Sequence, residues 1–174
     1  MAEALEPPLP KDIDRLAQCL LRDAAERGAM LATAESCTGG LMASLLTDMP
    51  GLSHVFERGF VTYTDEAKHQ MLGVPQAVLE TDGAVSEACA CAMAEGAIAG
   101  SRADVALAIT GFTEGGPGQP AGLVHFACAR RGGGPPTHRR EAFGDVGRAE
   151  VRLGALRVGL AMMADELGRL AVAA

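Results

Sequence analysis

Apolar residues recur at Ile13, Leu16, Leu20 and Leu21, behind Asp12 and ahead of Gly28. That spacing predicts a helix over residues 13–27, capped by the aspartate and stopped by the glycine. Residues 30–33 are a short apolar run of strand length. Residues 38–48 return to helical spacing and end at Pro50-Gly51. HVFERGFVTYT, residues 54–64, is rich in Val, Phe and Thr and predicts two strands joined near Arg58-Gly59.

Beyond it, residues 65–72 predict a short helix ending at Gly73. A brief helical piece lies between two turns, and Ser86 caps a helix to about residue 99. DVALAIT and GLVHFACAR read as buried strands. Between them GFTEGGPGQPA is too long and too rich in Gly and Pro for a tight hairpin, and loops of that size are often functional. A last strand is expected over 139–143. A long helix follows over 148–167, with Val151, Leu156, Leu160 and Met163 on its apolar face. Helices interleaved with strands indicate an α/β sandwich. The adjacent strand pairs around 55–64 and 105–130 indicate a mixed sheet. Residues 1–11 read as a polar lead-in and 12–170 as one domain.

With 174 residues the chain is long enough for a real core. Aromatics are 3%, so Leu, Ala, Val and Met must fill that core, and little is left for stacking on nucleic-acid bases. The net charge of −7 argues against general nucleic-acid binding, which depends on Lys and Arg against phosphate. A small anionic ligand remains compatible, because a helix N-terminus with one or two cations suffices. The five cysteines show no CxxC or zinc-like spacing, so reduced thiols and a cytoplasmic setting are expected. The four histidines are spread out, and neither a metal nor a cofactor is expected. Residues 1–10 lack a signal-peptide pattern, and no apolar run is long enough to cross a bilayer, so no membrane partner is expected.

The candidate chemistry starts at LATAESCTGGLMASLLTD, where a strand gives way to a helix. Ser36 could be a nucleophile there, with amides near Thr38, Gly39 and Gly40 holding an oxyanion or a phosphate. The plain alternative is that Ser36 or Thr38 caps the helix while Gly-Gly permits close packing. No Gly-Lys-Ser/Thr follows, so this is not a P-loop, and GxSxG is absent. In FVTYTDEAKHQML, Lys68 falls in a helix first turn, where the dipole disfavours a cation and suits a general base. Tyr63, the only tyrosine, precedes it. The alternatives are a solvated lysine and a core tyrosine. Thr110 and Gly111 end a buried strand and either line a cleft or simply begin a connector.

Taken together, AESCTGG, VTYTDEAKHQMLGVP, DGAVSEACACAMAEGA, ALAITGF and Arg148-x-x-Val-Arg152 resemble the C-terminal domain of competence/damage-inducible protein CinA. The resemblance covers residues 12–168, and that family includes stand-alone nicotinamide-nucleotide amidases. It implies a three-layer α/β/α fold and metal-independent hydrolysis of the carboxamide of nicotinamide mononucleotide, giving nicotinate mononucleotide and ammonia. By the same carry-over Ser36 is the nucleophile and Lys68 with Tyr63 manages the proton. Thr110 faces the substrate, and Thr38, Gly39 and Gly40 supply donors.

This chain departs from the family pattern in its loop. TGFTEGGPGQPAG stands where a TGIAGPGGG-like run followed by Lys-Pro-Val-Gly is usual, and GDVGRAEVR is a stretched version of its motif. An acidic Glu114 is unfavourable beside a phosphate. Three other readings follow: a non-catalytic nucleotide-binding or regulatory module using the same pocket, an amidase acting on a related substrate, and an amidase with Cys37 as nucleophile. Strand alternation points Cys37 away from Ser36. The apolar last helix can be covered by its own sheet or by a second copy, which leaves a homodimer open.

Overall fold

The computed structural model describes residues 9–170, so most of the expected lead-in and the AVAA tail lie outside the described residues. The chain runs α1 (Lys11–Arg27), β1 (Leu31–Glu35), α2 (Leu41–Thr47), β2 (Phe56–Val61), α3 (Asp65–Leu72), α4 (Gln76–Thr81), α5 (Glu87–Ala99), β3 (Val105–Gly111), β4 (Leu123–Arg130), β5 (Thr137–Ala142) and α6 (Arg148–Gly168). The five strands form one sheet in the order β2-β1-β3-β4-β5. β2, β1 and β3 are parallel, while β4 and β5 are antiparallel. The sheet is mixed, and helices cover both faces in a three-layer α/β/α arrangement.

Side-chain alternation along the strands divides the core in two. Leu31, Leu107, Ile109, Phe126 and Cys128 pack with α1, α2 and α6. Ala32, Ala34, Ala106, Ala108 and Ala127 pack with α5 and the end of α3. The second face is lined mainly by alanine, so α5 can lie close to the sheet. Its Ala90, Met93, Ala94 and Ala97 are fully buried. On the first face α6 buries Val151, Leu156, Leu160 and Met163 as its spacing predicts. Each such large side chain contributes about 1.5–3 kcal/mol by burial. This apolar face is therefore already covered by the chain's own sheet and by α1.

Three expectations need correction. Residues 54–64 hold a single strand, β2, not two: β2 lies parallel to β1. Gly59 does not turn the chain. A Cβ there would stand 3.0 Å from Thr33 Oγ1 and 3.1 Å from Ala43 Cβ, so the glycine lets α2 lie against the sheet edge. The helix expected from residue 38 begins only at Leu41, because Gly39 and Gly40 adopt left-handed conformations (φ 59° and 94°). Leu16, expected on the buried face of α1, is exposed.

One close contact positions α3. A Cβ on Gly96 would stand only 1.9 Å from the carbonyl oxygen of Leu72. α5 is thus pressed against the C-terminal end of α3, which carries Lys68 one turn earlier. The strand order reverses direction between β1 and β3. Open α/β sheets bind ligands at the carboxyl ends of strands flanking such a point.

Candidate active site

At that point β1 ends in a fully buried carboxylate, Glu35. Its Oε2 accepts from the amides of Gly40 (3.2 Å) and Met42 (3.0 Å). Its Oε1 accepts from the amide of Ala43 (2.8 Å) and from Thr33 Oγ1 (3.3 Å). These amides belong to the start of α2, whose donors have no partner within the helix. A negative charge at this end is also favoured by the helix dipole. Glu35 therefore does the capping that the sequence reading allowed to Ser36 or Thr38.

Relieved of capping, Ser36 turns to the opposite face of the sheet. Its amide donates to the carbonyl of Ile109 (2.9 Å), which extends β1 alongside β3. Its Oγ lies 3.2 Å from Lys68 Nζ. Lys68 also donates to the carbonyl of Thr62 (3.0 Å), just past the end of β2. The lysine is not solvated: it is 1% exposed, and Ser36 is 8% exposed. Thr64 Oγ1 caps α3 by accepting from Ala67 N, which fixes the turn that aims Lys68 inward.

Burial pushes the Lys68 ammonium below the usual lysine range, against weaker opposing effects from Cys89, Asp65 and Cys37. Those thiols give it no counter-charge at neutral pH. Burial raises Cys37 to about 12 and Cys89 to about 11. The sequence attributed a depressed lysine to the helix dipole; in the fold, desolvation is the main cause. Cys37 itself lies in the α1/α2/α6 core, behind the sheet from Lys68, as strand alternation indicated.

The other predicted residues are placed less directly. The Gly39 amide donates to Ser36 O (3.0 Å), and Gly40 serves Glu35, so neither amide is free for substrate. Among the described residues the Thr38 amide donates to no protein group. The Thr38 carbonyl accepts from Arg152 (2.6 Å), which reaches in from α6. Thr38 Oγ1, Thr62 Oγ1 and Arg152 Nε are buried without partners among the described residues. Thr110, the next-to-last residue of β3, lies beside Ser36, but its hydroxyl donates to the Ala84 carbonyl (2.7 Å). The space beside Gly111 is filled by β4: a Cβ there would stand 2.7 Å from Leu123 O.

Tyr63 is not brought to the pair. It is 65% exposed, neither a core residue nor a partner of Lys68, and its hydroxyl lies beside Arg148. Arg148 also pairs with Glu114 across 3.2 Å, so the acid in the 112–121 loop faces a cation on α6. His54 bonds Gly51 O and His69 bonds Val74 O. His125 and His138, apart in sequence, stack on each other. Among the described residues no group of three or more His, Cys, Asp or Glu could hold a metal ion. No described helix is long and apolar enough to cross a membrane.

Sequence reasoning missed Glu35, Thr62 and Arg152 as parts of this site. A glutamate at the end of a buried strand was the available signal for Glu35. Thr62 contributes through its carbonyl, which carries no mark in a sequence.

The model of the CinA C-terminal domain matches residues 13–167. The chain belongs to the CinA C-terminal domain family. It is 51% identical over 120 residues to the nicotinamide-nucleotide amidohydrolase PncC of Escherichia coli, covering 67% of this chain and 72% of that protein. It is 55% identical over 112 residues to a CinA-like protein of Akkermansia muciniphila, covering 63% of this chain but only 27% of that longer relative. The crystal structure of the competence/damage inducible protein CihA from Agrobacterium tumefaciens superposes with a TM-score of 0.88 at 45% identity. That match covers 95% of this chain and 99% of the other.

Proposed function

We propose that this chain hydrolyses the carboxamide of a nicotinamide nucleotide, with Ser36 as nucleophile and Lys68 as general base. The observation that carries this reading is the buried contact of 3.2 Å between Ser36 Oγ and Lys68 Nζ. Kinship with amidohydrolases about half identical in sequence supports the choice of substrate.

The chemistry follows from the depressed lysine. As a neutral amine, Lys68 keeps one N–H on the Thr62 carbonyl and presents its lone pair to the Ser36 hydroxyl. Ser36 Oγ attacks the carboxamide carbon while its proton passes to Nζ. The oxyanion forms near the turn after β1, where the Thr38 amide has no protein acceptor. The Lys68 ammonium then gives its proton to the departing nitrogen. The C–N bond breaks, ammonia leaves, and an ester to Ser36 remains. Water, deprotonated by Lys68, attacks the ester, the proton returns to Ser36 Oγ, and the carboxylic acid product departs and releases its own proton to the ammonia or solvent. One residue thus serves as base and acid in turn, as amide hydrolysis requires.

The test is ammonia release from nicotinamide mononucleotide by wild type and by Ser36→Ala. Wild-type release that Ser36→Ala abolishes, with the circular dichroism spectrum unchanged, supports the assignment. Full activity in Ser36→Ala refutes it. Tight nucleotide binding by a folded wild type without turnover supports instead the binding-module reading, which the departures of the 112–121 loop from the family pattern motivate.

A further inference from the structure

Two histidines that the chain keeps 13 positions apart meet beside this cleft. His125 Nδ1 lies 2.9 Å from His138 Nε2, and the rings stack with centroids 5.2 Å apart. His138 Nδ1 lies 3.5 Å from Glu87 Oε2 in the first turn of α5. The register puts them in line with the catalytic pair. Ser36 continues β1 beside Thr110 of β3, and Thr110 is directly opposite His125 of β4. All three side chains turn to the same face of the sheet. Ser36 meets Lys68 of α3, Thr110 meets Ala84 before α5, and His125 reaches Glu87 of α5 through His138. Two strand spacings, roughly 10 Å, separate the nucleophile from His125. An extended mononucleotide has a similar reach.

The nearby carboxylate favours one direction for the hydrogen bond between the two rings. Glu87 Oε2, 3.5 Å from His138 Nδ1, favours the tautomer with its proton on that nitrogen, which leaves a lone pair on Nε2. That lone pair accepts from His125 Nδ1–H. His125 Nε2 is left as a bare acceptor. His125 is 9% exposed, and among the described residues no protein group bonds its Nε2. Burial, then His138 and Arg140, depress His125, with Glu87 opposing, which favours the neutral ring. No other titratable group faces it from β3, where its neighbour is Thr110.

We propose that His125 Nε2 accepts a hydrogen bond from a sugar hydroxyl of the substrate, with His138 and Glu87 as positioning residues. This rests on the amidohydrolase reading of the same cleft. It assigns the ribosyl part of the substrate to the β4 side and the carboxamide to Ser36.

The test compares nicotinamide mononucleotide with its 2′,3′-dideoxy analogue for wild type, His125→Phe and His138→Phe. His125→Phe should raise KM for the natural nucleotide about 10- to 100-fold with kcat little changed, and should leave the dideoxy analogue as it is with wild type. In wild type KM should rise as pH falls through the depressed pKa of His125, because the protonated ring no longer accepts. His138→Phe removes a group that depresses His125, so this acid limb should move to higher pH; a purely structural role would leave it in place. Equal effects on both nucleotides, or none, overturn the proposal. If wild type turns over neither, the amidohydrolase reading fails by itself, and the same comparison is read as calorimetric affinity. Preferential loss of the natural nucleotide by His125→Phe then supports the hydroxyl contact, and no binding of either nucleotide overturns it.

Discussion

Replacing Glu35 by glutamine keeps the shape of the side chain and removes its charge. The carboxylate takes three amides and one hydroxyl, with both oxygens in use. A glutamine has one acceptor oxygen, so in either orientation at least one amide at the start of α2 faces an NH₂ group. A buried donor left unsatisfied costs about 1–3 kcal/mol. Losing the charge at a helix N-terminus costs about a further 0.3–1 kcal/mol. Relief of the burial penalty of the carboxylate offsets part of this, and we expect a net loss of about 2 kcal/mol. In urea unfolding, with a slope of about 2 kcal/mol per molar, the midpoint should fall by about 1 M at unchanged slope. Turnover should fall as well, since the turn that carries Ser36 is built on these bonds. A midpoint within about 0.2 M of wild type would refute the view that Glu35 holds this turn.

Lys68→Met keeps the length of the side chain without the amine; it should fold and lose about 100-fold or more in kcat, measured as ammonia release. In wild type, activity should rise with pH through the depressed Lys68 pKa, because only the neutral amine is a base. Stability should rise over the same window, up to the ordinary lysine value, because there the unfolded chain binds the extra proton; pH-dependent urea midpoints check this, and a fall in stability over that range would contradict a buried, depressed lysine. Cys37→Ala should retain most activity, and iodoacetamide at pH 7.5 should leave Cys37 unmodified by mass spectrometry, since burial holds its thiol near 12. Loss of turnover on alkylation of Cys37 would reopen the thiol mechanism.

How much of this was legible depended on whether the signal was local. The helices from 65, 86 and 148 announced themselves through a cap, a spacing or a stop, and they form close to where those signals lie. The polar run after β1 drew attention to Ser36 and a helix first turn drew it to Lys68, and the fold brings these two side chains within 3.2 Å. The hairpin expected in 54–64 failed because Gly59 serves a distant contact with Ala43, and a glycine looks the same whether it turns a chain or admits a neighbour. Tyr63 was drawn to the site by its place in a motif, yet it lies on the exposed side beside Arg148. The His125–His138 pair was invisible because only the β4–β5 register brings the rings together.

The hydrogen bond from Arg152 to the Thr38 carbonyl spans 114 positions. The turn that carries Ser36 is specified early in the chain but is completed only by α6. Since synthesis runs from the N-terminus and long-range contacts form late, a ribosome-bound chain carries Ser36 for most of its emergence without a finished turn around it. The Ser36 turn should therefore reach its final form abruptly, when α6 docks, rather than by degrees.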